Sequence, residues 1–206
     1  MKGLFYLVGQ HDAGKSTTLG WLAFSLAYDG LTEDEIFEKF ERFRLQRVAD
    51  RKNHQDAFPD MRVIVPYKGI YVYITLYGDE EEPIALNVEF FEGRLHNSTI
   101  YIFCEGKLRN LKPNEREYHT LYPPSVCISA CHYYKGKEKP LKQFMDKMLL
   151  HTCISSWVYI PRTPDKEWKA TGAGAFRRKY EAFAGRLKRM TDECLIYNRT
   201  IKITKL

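Results

Sequence analysis

Hydrophobic residues recur along this chain with two periods, and each change of period marks a predicted element. The apolar run Leu4–Val8 is short and continuous, as in a buried parallel strand, and it ends at Gly9. From Lys15 to Ala27 the apolar residues recur every three or four positions, which is the period of a helix, and Asp29 and Gly30 supply a stop. The pattern therefore predicts a strand, a loop and a helix at the start of the chain.

A second helix and a pair of strands follow. Thr32 and Glu35 form a capping box ahead of an apolar stripe, which predicts a helix over about 32–48. Two β-rich runs, 61–65 and 70–77, are separated by a short turn around Lys68 and Gly69.

Strands continue to alternate with helices through most of the chain. We expect a helix over 83–91, strands at 98–104 and 125–131, a helix over 140–151, and long loops at 105–124 and 161–174. This alternation predicts an α/β fold with a mostly parallel sheet and helices on both faces. With 206 residues, 44% of them hydrophobic, the chain is long enough for one core, and we expect a single domain over 1–206.

Composition predicts that the protein resides in a reducing compartment. No apolar stretch approaches the ~20 residues that cross a bilayer, so no membrane association is expected. The five cysteines show no paired CxxC spacing, which suits free thiols better than a disulfide framework. We therefore expect a cytoplasmic protein.

Charge is distributed unevenly along the chain. Residues 1–132 carry 15 Lys and Arg against 19 Asp and Glu, whereas residues 133–206 carry 17 against 7. A basic last third is compatible with a polyanionic partner such as nucleic acid or nucleotide phosphates, and equally with a solvated surface.

The loop after the first strand carries a recognisable motif. The stretch GQHDAGKS fits G-x-x-x-x-G-K-[ST], with Gly9, Gly14, Lys15 and Ser16 at the defined positions. Glycines let backbone N–H groups curl around phosphates, Lys15 reaches the terminal phosphates, and the Ser16 hydroxyl is suited to ligate Mg²⁺. The predicted phosphate-binding residues are Gly9, Gln10, His11, Asp12, Ala13, Gly14, Lys15, Ser16 and Thr17.

By this stretch the chain resembles the P-loop NTPase superfamily, which implies a nucleoside triphosphate and Mg²⁺ as ligands. The sequence GQHDAGKSTT is locally similar to the first motif of translational GTPases. Those GTPases also carry D-x-x-G and N-K-x-D, and neither motif occurs in this chain. ATP is therefore the expected nucleotide, and GTP is disfavoured. The strand ending in YGD and the helix ending in NVEFF look similar to uncharacterised bacterial and phage-type ATP-binding proteins with a small kinase-like fold.

An acidic residue at a strand end usually completes the Mg²⁺ site of such proteins. Asp79, after the apolar run IYVYITLYG, is the candidate, with Ser16 as the other metal ligand. The alternative is that Asp79 is a turn residue between a strand and a helix.

The basic last third offers two further candidates. Arg162 lies in the segment 161–175, which is rich in Pro, Gly and Lys, and it is a candidate catalytic residue on a lid that closes over the transferring phosphate. Residues 176–190 predict a helix with one apolar face and basic side chains elsewhere, either an ordinary surface helix or a wall for a phosphate-bearing substrate.

Three functions remain open from the sequence. The favoured one is a Mg·ATP-dependent enzyme, either an ATPase or a small phosphotransferase, of the nucleotide kinase type, with Lys15, Asp79 and Arg162 as catalytic residues. The second is a nucleotide-dependent switch or ATPase module that docks on nucleic acid or a protein partner through its basic C-terminal face. The third keeps the nucleotide as a structural or regulatory ligand.

Overall fold

The computed structural model describes residues 3–50, 61–76, 81–96, 99–115, 117–132, 154–162 and 165–204. Within these residues the strands are β1 (Gly3–Gly9), β2 (Arg62–Tyr67), β3 (Ile70–Thr75), β4 (Ile100–Cys104), β5 (Lys107–Asn110), β6 (Pro124–His132) and β7 (Ile154–Tyr159). The helices are α1 (Lys15–Ala27), α2 (Glu33–Asp50), α3 (Glu81–Phe91), α4 (Tyr118–Leu121) and α5 (Asp165–Thr204), with a 3₁₀ turn at Pro113–Glu115.

The described strands form one mixed sheet in the order β5-β4-β2-β3-β6-β1-β7. Strands β3, β6, β1 and β7 are parallel to one another, while β2 is antiparallel to β3 and β4 is antiparallel to β5. The fold is therefore α/β, but the sheet is parallel only in part, which corrects the expectation of a mostly parallel sheet.

Two tight hairpins account for the antiparallel pairs. The β2–β3 turn consists of Lys68 and Gly69, which have φ angles of 47° and 80°. The β4–β5 turn consists of Glu105 and Gly106, with φ angles of 50° and 71°. Two successive residues with positive φ match the twist of antiparallel strands, and a two-residue link is far too short for a parallel crossover.

Helices cover both faces of the sheet. Phe5 and Leu7 of β1 lie in the larger core, which includes buried residues of α1, α2 and α5. Tyr6 and Val8 point to the opposite face, where they join buried residues of α3 and α4. The alternation along β1 thus separates two layers of core, and the expectation of helices on both faces is confirmed.

Most predicted elements are present with similar bounds. The predicted strands 98–104 and 125–131 correspond to β4 and β6, and the predicted helices 32–48 and 83–91 correspond to α2 and α3. The capping box is also present, because the Thr32 N–H donates to Glu35 Oε2 at 2.8 Å. The predicted helix 140–151 lies outside the described residues.

Two predicted loops and one unpredicted strand differ from expectation. The segment 105–124 contains β5 and α4, and residues 165–174 are helical as the start of α5, so both loop predictions are wrong. Gly172 and Gly174 disfavour a helix by about 1 kcal/mol each, and both lie within α5. Strand β7 was not predicted.

The Glu115 carboxylate accepts hydrogen bonds from the β4–β5 hairpin and from the end of α4. Glu115 accepts two hydrogen bonds from the Arg109 guanidinium at 2.7 and 2.8 Å, one from the Lys112 N–H at 2.8 Å and one from the Tyr122 hydroxyl at 2.9 Å. These donors, Arg109 first, lower the pKa of Glu115 to about 2. The carboxylate is therefore stabilised in its charged form.

Glu115→Gln should lower the free energy of unfolding at pH 7 by about 1–2 kcal/mol. A carboxyl whose pKa is lowered by folding stabilises the protein above its unfolded value of 4.5, and this contribution is lost as the pH falls toward 2. Urea unfolding should therefore show a smaller difference in the free energy of unfolding between variant and wild type at pH 3 than at pH 7. Glu38→Gln, an exposed carboxylate on α2, is the control. An equal difference in the free energy of unfolding at both pH values would contradict the lowered pKa of Glu115.

Candidate functional site

The loop between β1 and α1 turns sharply at two residues. Asp12 and Gly14 have φ angles of 57° and 86°, in the left-handed region that glycine adopts freely and aspartate tolerates. The Ala13 N–H donates to the Gln10 carbonyl at 3.3 Å, which closes the turn. The predicted strand, loop and helix are confirmed, and the loop lies at the carboxyl end of β1.

The start of α1 has no neutralising side chain. Gly14 occupies the N-cap position without a side-chain cap hydrogen bond, and within this described helix the first turn carries no acidic residue. The first N–H groups of a helix carry partial positive charge and need acceptors. The start of α1 is consequently suited to an anion from outside the chain.

Lys15 is folded back into the loop. Its Nζ donates to the Gly9 carbonyl at 3.1 Å and to the Gln10 carbonyl at 2.8 Å, and the residue is only 5% exposed. A buried ammonium group is costly unless it is hydrogen-bonded, so these carbonyls stabilise it in the loop. The positive charge is therefore held against the loop backbone in this structure.

Ser16 connects the loop to the end of β3. Its Oγ donates to the Leu76 carbonyl at 2.9 Å, one residue beyond the last residue of β3. The Ser16 hydroxyl is thus next to the chain segment that leads to Asp79. Asp79 itself lies outside the described residues. The Ser16 hydroxyl is an oxygen ligand of the kind that Mg²⁺ prefers.

Two histidines lie beside the loop on its β6 side. His11 Nδ1 lies 2.9 Å from Asp12 Oδ2, and both side chains are exposed. The ring centroid of His11 is 5.9 Å from that of His132, the last residue of β6. The sequence did not indicate this neighbour, since only the parallel register of β6 with β1, which sets His132 opposite Gly9, brings the rings together.

Helix α5 contacts the loop on its other side. A methyl group added at Gly14 would come within 2.7 Å of Tyr180 Cε1, and Tyr180 also forms a side-chain hydrogen bond with Thr17. Lys179 Nζ donates to the Pro161 carbonyl at 2.7 Å and to the Ala13 carbonyl at 3.3 Å. Burial raises the pKa of Tyr180 and lowers the pKa of Lys179. The sequence predicts one apolar face for this helix, but it did not indicate the contact between Tyr180 and the loop.

Arg162 follows the end of β7 and is exposed. The Ile160 N–H donates to the Val8 carbonyl at 2.8 Å, so the segment after β7 runs alongside the end of β1. A methyl group added at Gly9 would come within 2.6 Å of the Ile160 carbonyl oxygen. Arg162 is therefore close in the chain to a segment that borders the loop, while the catalytic role expected of it stays a prediction.

Part of the basic helix faces inward. Arg177 pairs with Asp34 and Glu181 at 2.6 Å each, and Lys188 pairs with Asp29 at 2.8 Å. Together with Lys179, these cations attach α5 to the rest of the domain. The basic residues that remain exposed on this stretch of α5 are Arg178, Arg186 and Arg189. The basic surface predicted for a phosphate-bearing substrate is thus limited to these three exposed residues of the helix.

A separate groove of about 500 Å³ lies between α5 and the strands β1 and β7. Phe5 and Cys194 are in its wall, and Arg186, Arg189 and Glu193 are among its polar residues. Phe5 precedes Gly9 by four residues, which is about 13 Å along a strand. This groove is therefore distinct from the loop between β1 and α1.

Comparison with family models, with curated proteins and with solved structures finds no match to this chain. Among the described residues, no helix is both long and apolar enough to cross a membrane. The same residues contain no group of three or more His, Cys, Asp and Glu side chains arranged to hold a metal ion.

Gly14→Ala should destabilise the protein more than Gly69→Ala. Both positions have positive φ, which costs an L-residue about 1–2 kcal/mol, but only the methyl at Gly14 meets another side chain, because nothing lies within 4 Å at Gly69. Chemical unfolding should show the larger loss for Gly14→Ala, and Tyr180→Ala should reduce the difference between the two alanine variants. Equal losses at the two glycines would contradict close packing of Tyr180 on the loop.

Proposed function

We propose that the chain is a Mg·ATP-binding P-loop NTPase whose loop at Gly9–Thr17 holds the triphosphate for cleavage of its terminal phosphate. The observation that carries this proposal is the Lys15 ammonium group, held inside a left-handed turn at the uncapped start of α1. A lysine, a helix N-terminus and a turn of backbone N–H groups all favour the same polyanion.

Electrostatics support a phosphate chain over a single carboxylate. The loop combines the partial charge of α1 with the full charge of Lys15, and the Asp12 carboxylate faces His11. Phosphate oxygens are strong acceptors that replace the two carbonyls now bound to Lys15 Nζ. On this proposal Lys15 neutralises charge that develops on the terminal phosphates during cleavage.

Mg²⁺ is the proposed metal, with Ser16 and Asp79 as its protein ligands. The contact of Ser16 with the Leu76 carbonyl supports this choice, because it sets the hydroxyl at the beginning of the segment that holds Asp79. Mg²⁺ held there would neutralise negative charge on the phosphates. Ser16 orients one side of that site, and the Asp79 carboxylate is proposed to complete it.

The fold is proposed to be of the P-loop NTPase type. Four parallel strands, β3, β6, β1 and β7, support this assignment because ligands of α/β sheets bind beyond the carboxyl ends of parallel strands. ATP is proposed over GTP because the sequence lacks the D-x-x-G and N-K-x-D motifs that accompany guanine binding in the GTPases that the loop resembles.

The recipient of the phosphoryl group is water or a small acceptor. Transfer to an acceptor requires that water be excluded, and the segment 161–175 is the proposed lid, now with a helical part from Asp165 onward. Incubation with Mg·ATP and a panel of nucleosides, nucleoside monophosphates and oligonucleotide ends separates the two cases. Acceptor-dependent ADP would identify a phosphotransferase, and acceptor-independent phosphate release would identify an ATPase.

Lys15→Ala should reduce the affinity for Mg·ATP at least about tenfold, since a charge-assisted contact to phosphate contributes roughly 1.5–3 kcal/mol. Turnover should fall with it. Titration calorimetry measures the affinity, and Lys107→Ala, an exposed lysine on β5, is the matched control. Unchanged affinity in Lys15→Ala would exclude the loop as the triphosphate site, and loss in both variants would indicate non-specific electrostatic binding.

Ser16→Ala should remove most of the gain in ATP affinity that Mg²⁺ gives the wild-type protein. The hydroxyl is a proposed metal ligand, so affinity in EDTA should be nearly the same in variant and wild type. Calorimetric titrations with and without Mg²⁺ measure both quantities. A variant that retains the full dependence on Mg²⁺ would show that Ser16 does not contact the metal.

A further inference from the structure

The two sides of the loop differ in what borders them. Ser16 contacts Leu76 at the end of β3, whereas Thr17 and Gly14 contact Tyr180 of α5. In the sheet, β3 and β7 lie on opposite sides of β1, and α5 packs against α1, β1 and β7. The metal side of the proposed site therefore faces β3, and the opposite side faces α5.

This arrangement orients a bound nucleotide. On the proposed function, the terminal phosphate lies on the side of Ser16, the proposed metal ligand, and therefore on the β3 side. The α-phosphate and the nucleoside then leave the loop on the other side, where Tyr180 borders the first turn of α1. On the proposed function, the Tyr180 ring therefore lies on the side from which the ribose and base leave the loop.

Tyr180 is held in a defined position there. Its ring packs against the Gly14 backbone, its side chain hydrogen-bonds with Thr17, and the neighbouring Lys179 joins the Ala13 and Pro161 carbonyls. The anchored α5 continues in the N-terminal direction for fifteen residues before Tyr180, which is about 22 Å of helix. Because burial raises the pKa of Tyr180, the phenol is neutral at pH 7 and does not repel phosphate.

We infer that Tyr180 is a nucleoside-contacting residue, whose ring packs against the ribose and base of a triphosphate held by the loop. The inference rests on the proposed function. Its chemistry is apolar and aromatic contact with the ribose and base. The loop residues hold the phosphates, and Tyr180 distinguishes a nucleoside triphosphate from the bare triphosphate chain.

Calorimetry with two ligands, Mg·ATP and inorganic tripolyphosphate with Mg²⁺, tests the inference. The wild-type protein should bind ATP more tightly than tripolyphosphate. Tyr180→Ala should weaken ATP binding about tenfold to hundredfold and change tripolyphosphate binding less than about threefold, while Tyr180→Phe should keep most of the ATP affinity. Phe183→Ala, one turn further along α5 and packed on the core, is the control for altered helix packing.

The other outcomes each overturn the inference in a recognisable way. Equal weakening of both ligands in Tyr180→Ala would show that the tyrosine only supports the loop, and tighter binding of both would show that it covers the site. Unchanged ATP affinity in a folded Tyr180→Ala or Tyr180→Leu would exclude contact with the nucleoside. Failure of the wild-type protein to bind either ligand would instead overturn the proposed function, and the inference with it.

Discussion

The backbone turn at Gly14 is the constraint on which the site depends. A positive φ at this residue ends the loop and starts α1 without a side-chain cap, and Lys15, the next residue, donates from its ammonium group to the Gly9 and Gln10 carbonyls. The same turn brings the glycine backbone against Tyr180, where a larger residue would not fit. The start of α1 and the packing of α5 are therefore coupled through one residue without a side chain.

Helix α5 explains why a basic C-terminal part belongs to the same unit as the loop. Arg177 and Lys188 pair with acidic residues of α2 and of the turn after α1, and Lys179 binds two carbonyls beside the loop. Exposed ion pairs stabilise little individually, but here they accompany apolar packing of Ala184 and Leu187 in the core. Arg177, Lys179 and Lys188 of the basic C-terminal part thus have structural partners, while Arg178, Arg186 and Arg189 are exposed on the described stretch of α5.

Local signals in the sequence predicted the local structure well. The continuous run before Gly9, the helical period after Lys15 and the capping box at Thr32 each depend on neighbouring residues, and each corresponds to an element with similar bounds. Strand directions and neighbours depend on long-range pairing, so the insertion of β6 between β3 and β1, and with it the position of His132, could not be read from the pattern. The contact of Tyr180 with the loop could not be predicted for the same reason. Tyr180, Phe183 and Leu187 are three and four positions apart on α5, which is the spacing of one apolar helix face.

The central claim is that the turn at Gly9–Thr17 holds the phosphates of a nucleoside triphosphate. A crystal structure with Mg²⁺ and a non-hydrolysable ATP analogue tests it most directly. We expect β- and γ-phosphate oxygens within hydrogen-bond distance of the loop N–H groups, with Lys15 Nζ moved from the Gly9 and Gln10 carbonyls to those oxygens. An analogue bound elsewhere, with Lys15 still on the two carbonyls, would contradict it.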